Sequence, residues 1–431
     1  MGLGLLGRGI GDVAFMYKMG AKLTVTDKKT KKELAPALAQ LKKYKGIKYV
    51  LGGHNEKDFT KKEADMIIRA AGVPLNSPYI DLAINEFLPV HMTTALFAKF
   101  AREKGAKIVG ITGTRGKSTV THMIAHILKV AGKRMHLGGN VRGIATLPQI
   151  TKVKKGDIAV LELDSWQLQG FGAIGLEQSP DVSVFTSFMQ DHLNYYSSMG
   201  RYFYDKAQIY RHQIKGDVLI AGPSAAKEIK KDIKHVQGKF IPVKAKDVPK
   251  SWQRNLIGIH NDENIAMAAA VARALGISES TIKKGIASFV PVEGRLQLLR
   301  MVQGIAIYND NNGTTPDATL AALKALPKKG NLILIMGGSD KGISFKKLIS
   351  EIKKRKAYVV LLPGNGTDHF KKEYKGTVAE VPSMVQAVTN AYALAKRGDT
   401  IVLSPACASF GLFVNEYDRN DQFVAAVKKL K

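Results

Sequence analysis

Cysteine is nearly absent from this chain. Cys407 is the one cysteine among 431 residues, which excludes an internal disulfide and suits a reducing compartment. Long apolar runs are missing too. No stretch of about 18 apolar residues exists that could cross a bilayer as a helix. Aromatic residues make up 7% of the chain and no tract is compositionally biased, which points to a soluble globular protein rather than a fibrous or disordered one. The first residues lack the basic start, apolar stretch and small-residue cleavage site of a signal peptide. A cytoplasmic location is therefore expected.

Acidic residues are also scarce. Asp and Glu total 36 against 65 Lys and Arg, a net charge of +29. Such an excess permits contact with nucleic acid or an anionic membrane. Yet the lysines are scattered singly or in pairs (Lys42-Lys43, Lys230-Lys231, Lys283-Lys284, Lys353-Lys354). No aromatic interleaving or nucleic-acid-binding motif accompanies them. We read the charge as dispersed over the surface, with anionic small-molecule substrates contributing, and do not expect nucleic acid as the partner.

The organising stretch runs from Lys107 to Thr119. Ile108 to Ile111 reads as a buried strand, Gly113 and Gly116 make a turn, and Met123, Ile124, Ile127 and Leu128 fall at helical spacing. Strand, glycine turn and helix form the context of a phosphate-binding loop. Glycines let backbone N–H groups face phosphate oxygens, and the helix N-terminus adds partial positive charge. Lys117 would reach the β- and γ-phosphates, and the Ser118 hydroxyl would meet Mg²⁺. The spacing T-G-T-x-G-K-S is not the generic one, because Ile111 stands where a glycine is usual.

The length predicts two or three domains, and three segments can be read. Residues 1–88 open with Gly2-Leu3-Gly4-Leu5-Leu6-Gly7, a G-x-G-x-x-G match. A helix with Val13, Phe15, Met16 and Met19 follows, then a strand from Lys22 to Thr26 closed by Asp27. This dinucleotide-like pattern cannot separate NAD from UDP. No residues supply the strand that should precede Gly2, so either the start is truncated or the sheet lacks that strand. Shorter strands are expected near Lys48–Leu51 and Met66–Ile68.

In residues 89–291, Arg134–Val141 reads as a strand entering a glycine turn that ends at Asn140. Strands Asp157–Leu163 and Asp181–Thr186 deliver Glu162, Asp164 and His192 to the carboxyl edge of a sheet, where open α/β proteins bind ligands. Met189 to Leu193 would carry His192 there. Lys206 lies on an aromatic-rich helix, and the pattern alone does not decide between a solvated lysine and a functional one. Asn261 and Asn264 share a helix face, suited to a polar ligand or to capping.

Residues 292–431 show four strands, Ile305–Tyr308, Leu332–Met336, Tyr358–Leu362 and Thr400–Leu403. Each ends in a glycine, serine or acidic turn, as a Rossmann-like unit does. Cys407 has no histidine or cysteine partner nearby in sequence and reads as packing.

The ordered set T-G-T-R-G-K-S, L-E-L-D-S-W-Q-L, Asp191-His192, Y-x-x-D-K-A-x-I-Y, H-N-x-x-N-x-x-A-A, E-G-R-L-Q, Y-N-D and S-P-A-C-A-S-F resembles the Mur ligase family over essentially the whole chain, and most of all its D-glutamate-adding members. The resemblance implies an α/β protein of three domains: a Rossmann-like UDP-binding domain (1–88), a central P-loop ATPase domain (89–291) and a Rossmann-like C-terminal domain (292–431) that closes over the site. It implies an ATP-dependent ligase, acting largely as a monomer, that joins D-glutamate to UDP-N-acetylmuramoyl-L-alanine through an acyl phosphate.

Carried over by motif, Gly113, Thr114, Gly116, Lys117, Ser118 and Thr119 would hold ATP, with Asn264, Arg295 and Asp310 on the nucleotide. Ser118 and Glu162 would bind one Mg²⁺. His192 and a carbamylated Lys206 would serve a second. Lys117, His192 and Lys206 would be the catalytic set. Gly4, Leu5, Asp27 and Asn140 would meet the UDP-sugar, and Thr314, Lys341, Ser409 and Phe410 would meet D-glutamate. Asn312 stands where many relatives carry Lys, Ala70-Ala71-Gly72 replaces S-P-G, and Lys28 follows Asp27. Rival readings are a Mur-like ligase for another amino acid or acceptor, an NAD-dependent oxidoreductase built on the first glycine motif, and a basic P-loop nucleic-acid ATPase.

Overall fold

The computed structural model describes residues 1–5, 7–172, 175–192 and 195–431. Leu6 of the first glycine motif and Leu193 after His192 lie outside the described residues. The chain divides into two compact units, one of Met1–Trp252 with Glu263–Ala287, the other of Gln253–Asp262 with Ser288–Lys431.

The first unit begins with two small parallel sheets. One pairs β1 (Thr24–Asp27) with β2 (Lys48–Leu51), the other β3 (Ile67–Ile68) with β4 (Val90–His91). The residues before Gly4 form no strand, but they bridge the two sheets. The Gly2 N–H donates to the Thr26 carbonyl at 2.8 Å, the terminal amine to the Ile68 carbonyl at 2.8 Å, and the Ala70 N–H to the Met1 carbonyl at 3.0 Å. The glycine turn thus still follows backbone that is paired on both sides.

The helix Arg8–Lys18 comes next and buries Ile10, Asp12 and Val13. Val13 was expected there. Met19 lies past the helix end and is 63% exposed, so it is not a core residue. Asp12 is the surprise: burial pushes its carboxyl up to about 6, against a hydrogen bond from Thr93 that lowers it. A carboxyl raised in the fold destabilises it above that pH and ceases to do so once protonated in both states. Asp12→Asn is therefore expected to stabilise the protein by about 3 kcal/mol at pH 8 and by almost nothing at about pH 3. Urea unfolding at the two pH values checks this.

A six-stranded sheet follows, in the order β10-β9-β8-β5-β7-β6. Its strands are β5 (Lys107–Thr112), β6 (Met135–Gly139), β7 (Ile158–Glu162), β8 (Val182–Phe185), β9 (Val218–Ala221) and β10 (Lys239–Pro242). All pair in parallel. Every residue of β7 and β8 is buried, as helices on both faces of a parallel sheet require, which is why β7 reads as an apolar run up to Glu162 and β8 as one broken only by Ser183. The chain runs from β5 to one side (β7, β6) and then returns to the other (β8, β9, β10). The reversal beside β5 opens a crevice at the carboxyl ends, the ligand position of doubly wound sheets.

The second unit holds another six-stranded sheet, ordered β11-β12-β16-β13-β14-β15. Its strands are β11 (Gln297–Val302), β12 (Ile305–Asn309), β13 (Leu332–Gly337), β14 (Tyr358–Leu362), β15 (Val378–Glu380) and β16 (Thr400–Leu403). Only β11 is antiparallel, to β12. Apolar cores cover both faces, with Leu334, Leu348 and Phe370 on one and Ile335, Val388 and Phe423 on the other.

Candidate active site

In the first unit the loop between β5 and the helix Lys117–Val130 is shaped by two glycines. Gly113 has φ 142° and Gly116 φ 89°. A Cβ on Gly113 would sit 2.0 Å from the Thr186 hydroxyl oxygen, and one on Gly116 would sit 2.5 Å from Asn264 Oδ1. Glycine is required at both on conformational and steric grounds. Asn264, expected on the nucleotide, is thereby placed against the loop.

The segment after β8 braces the same loop. The Thr114 N–H donates to the Ser187 carbonyl at 2.8 Å and the Arg115 N–H to Ser187 Oγ at 2.9 Å. The Thr186 hydroxyl donates to the Thr112 carbonyl at 3.0 Å. Thr119 is buried in the first turn of the helix. Lys117 folds back, its Nζ donating to the Gly113 carbonyl at 3.0 Å and the Thr114 carbonyl at 3.3 Å.

The structure brings Ser118 and Glu162 together, with Ser118 Oγ donating to Glu162 Oε1 at 3.1 Å. Glu162 closes β7 and is buried. The Asn140 N–H donates to the Glu162 carbonyl at 2.7 Å, so Asn140 also reaches this edge. Asp164 instead caps the short helix Ser165–Leu168 in a capping box with Gln167.

Lys206 is not solvated. It is 1% exposed, and its Nζ donates to the Gly113 carbonyl at 2.9 Å with the Tyr202 ring 4.8 Å away. Burial first, and then the Lys117 charge, hold its amine well below the usual lysine range, against Asp164, Asp191 and Asp205, which raise it. His192 stands at the same carboxyl edge with φ 57°. A left-handed backbone at a non-glycine residue is strained and gathers at functional loops. Its ring packs edge-on to Trp166 at 4.9 Å. Asp191 is buried beside it and pairs with Arg115 at 3.3 Å.

In the amino-terminal part Gly4 and Asp27 are in contact. The Gly4 N–H donates to Asp27 Oδ2 at 3.1 Å, and Asp27 Oδ1 accepts from the Lys29 N–H at 2.9 Å. Leu5 is 49% exposed beside them.

The second unit gathers its own candidates. Asp310 accepts from the Leu296 N–H at 3.1 Å and from Ser404 Oγ at 2.7 Å, so it joins the Arg295 turn to the end of β16. Lys341 Nζ donates to Thr314 Oγ1 at 3.4 Å. The Lys341 loop is tied to the Ser409-Phe410 loop through Ser339. The Ser339 N–H and the Ala408 carbonyl lie 2.9 Å apart, and the Ser339 hydroxyl donates to the Phe410 carbonyl. Ser409 is buried and Phe410 is 63% exposed. Leu296 and Ala406 have φ of 49° and 58°, which puts two more non-glycine left-handed residues in motif loops. Cys407 is buried, and burial pushes its thiol up to about 12, which leaves it inert as expected.

Known proteins match this arrangement along its length. A model of the MurD-like N-terminal domain matches residues 1–91, the Mur ligase middle domain residues 111–272, and the Mur ligase glutamate ligase domain residues 294–407. A UDP-N-acetylmuramoylalanine–D-glutamate ligase of Roseiflexus sp. (strain RS-1) is 32% identical over 98% of this chain and 96% of its own. One from Borreliella afzelii (strain PKo) is 33% identical over 100% and 97%. The chain belongs to the Mur ligase family. Solved Mur ligases share its fold: MurF of Thermotoga maritima in complex with ADP has a TM-score of 0.60 at 18% identity, covering 87% of this chain and 96% of that one. MurC of the same organism has a TM-score of 0.60 at 17% identity over 100% and 98%.

Two arginines of this Mur ligase escaped the sequence reading. Arg69 follows β3, is 2% exposed, and donates to Gln169 Oε1 at 3.0 Å. Gln169 Nε2 donates to Asp205 Oδ2 at 2.7 Å, which links the amino-terminal sheets to the residue before Lys206. Arg419 is fully buried in the second unit. It donates to Asn311 Oδ1 at 2.8 Å, to the Asn311 carbonyl at 2.8 Å and to the Cys407 carbonyl at 3.2 Å. It pins the turn after Asp310 to the segment before Ser409. Nothing in the sequence near either arginine distinguishes it from the other 63 basic residues. Arg419→Met should cost about 3 kcal/mol in urea unfolding, because it leaves three buried acceptors unmatched.

Proposed function

We propose that this Mur ligase joins D-glutamate to UDP-N-acetylmuramoyl-L-alanine, using ATP, in the making of peptidoglycan precursors. The observation that carries the reading is likeness over the full chain to relatives named for that reaction. In this reading the chain works as three functional segments, 1–88, 89–291 and 292–431, and acts as a monomer in the cytoplasm.

The loop residues Gly113 to Thr119 cradle the ATP phosphates, with the Lys117 ammonium on the β- and γ-groups. Phosphoryl transfer needs positioning and charge neutralisation more than covalent help, and these are what the loop supplies. Asn264, Arg295 and Asp310 hold the nucleotide. The Ser118 hydroxyl and the Glu162 carboxylate, 3.1 Å apart, are hard oxygen donors of the kind Mg²⁺ takes and would hold it. When bound, Mg²⁺ neutralises phosphate charge there.

Lys206 fits carbamylation. Burial shifts its amine well below the usual lysine range, which favours the neutral form, and a neutral amine adds to CO₂, forming an N–C bond and releasing one proton. The product is an anion that, with His192, offers donors to a second Mg²⁺. Gly4, Leu5, Asp27 and Asn140 hold the UDP-sugar. Thr314, Lys341, Ser409 and Phe410 hold D-glutamate, with Lys341 paired to a carboxylate.

The chemistry has two steps. A carboxylate oxygen of the alanyl group attacks the γ-phosphorus, the bond to ADP breaks, and an acyl phosphate forms. The D-glutamate amine then attacks the acyl carbon, loses a proton, and phosphate leaves with the carboxylate oxygen. A ligase for another amino acid was kept open by Asn312. That side chain is turned to the Glu293 carbonyl at 3.4 Å and its N–H to the Gly294 carbonyl at 3.0 Å, so its contacts are to the E-G-R turn. Phosphate release with ATP, Mg²⁺ and UDP-N-acetylmuramoyl-L-alanine should require D-glutamate and fail with L-glutamate, glycine or L-lysine. Release with one of the others would transfer the activity to that amino acid.

A further inference from the structure

The Lys341 loop is held from one side by a single helix, and no motif accounts for it. The helix Asn365–Glu373 carries Asn365, His369 and Glu373 four residues apart, on one face. Asn365 Oδ1 accepts from the Asp340 N–H at 2.8 Å. His369 Nδ1 lies 3.0 Å from Asp340 Oδ2, and His369 Nε2 lies 3.2 Å from Glu373 Oε1. Glu373 Oε2 accepts from the Phe345 N–H at 3.1 Å. Asp340 Oδ1 accepts from the Gly342 N–H at 2.9 Å, which closes the turn around Lys341. The His369 ring also meets the Phe345 ring edge-on at 5.3 Å.

The loop is therefore gripped on both flanks of Lys341, at Asp340 and at Phe345, and His369 touches both grips. The helix comes close enough that a Cβ on Gly364 would sit 2.3 Å from the Gly338 carbonyl oxygen. Lys341 itself is exposed at the tip. A long, mobile ammonium recognises a carboxylate well only if its own backbone is fixed beforehand.

We propose that His369 is a positioning residue for the amino acid substrate: it fixes the loop so that Lys341 meets a carboxylate of the incoming dicarboxylic amino acid. This rests on the D-glutamate reading above. It assigns His369 no contact with substrate and no part in phosphoryl transfer.

The test is steady-state kinetics with each substrate varied in turn. His369→Ala is expected to raise KM for D-glutamate about tenfold, the effect of losing roughly one net hydrogen bond. KM for ATP and for the UDP substrate should stay within about twofold, since the loop carries no other assigned contact. His369→Gln, which keeps one donor, should fall between. Lys371→Ala is the control. It sits on the same helix and breaks a surface pair with Glu380 at 2.9 Å, so it should leave all three values unchanged. If His369→Ala does not fold, Asn365→Ala removes the other hold on Asp340 and carries the same expectation. An unchanged D-glutamate KM, or a rise shared equally by all three substrates, would overturn the assignment. Wild-type turnover that ignores D-glutamate would instead overturn the ligase reading, so the two failures can be told apart.

Discussion

Lys206→Ala is expected to lower turnover by on the order of 10³, near the loss seen when one preorganised charged or hydrogen-bonding group is taken from a transition state. The variant should still bind ADP almost normally, because the phosphate loop and Lys117 are left in place. An amine 1% exposed, beside the Gly113 carbonyl and within the influence of Lys117, is costly as a cation. It is affordable as a neutral nucleophile for CO₂. Alanine leaves nothing to modify, so added bicarbonate should restore nothing. Turnover measured beside ADP titration checks the claim, and a fully active Lys206→Ala enzyme would remove the role.

Lys117→Met should lower kcat/KM for ATP by about 10²–10³, since one cation that follows the γ-phosphoryl charge is gone. A second effect follows from the electrostatics. Lys117 is one of the causes that hold the Lys206 amine below its ordinary range. Removing that charge moves Lys206 upward, so a smaller fraction of it is neutral at a given pH. The residual activity of Lys117→Met should therefore climb more steeply with rising pH than that of the wild type. A pH profile parallel to the wild type would separate the two lysines.

The phosphate loop was legible because its chemistry constrains local residues. Gly113 and Gly116 are demanded by backbone angles and close approach, and Ser118 must follow Lys117 on the first helical turn. The buried strands β5, β7 and β8 were legible as short, mainly apolar runs, with Ser183 the one polar break in β8. Strands β4, β9, β10, β11 and β15 were not read. β10 and β15 are edge strands with half-exposed residues, and β11 mixes exposed and buried positions, so their patterns do not stand out from loops. Lys206 could be placed on a helix but not inside or outside, because its burial is set by β5 and the phosphate loop, 93 residues away in sequence. Arg69, Arg419 and His369 were illegible for the same reason. Each acts through at least one partner distant in sequence, Gln169 for Arg69, Asn311 for Arg419 and Asp340 for His369, and a basic residue in a chain rich in them carries no local mark.

In the proposed reaction an acyl phosphate links ATP to the new peptide bond. The direct test labels the alanyl carboxylate of UDP-N-acetylmuramoyl-L-alanine with ¹⁸O and follows the label by mass spectrometry of the released phosphate. The account predicts one ¹⁸O in each phosphate formed with D-glutamate, because the leaving phosphate takes a carboxylate oxygen with it. Phosphate that carries no label while ligation proceeds would contradict it.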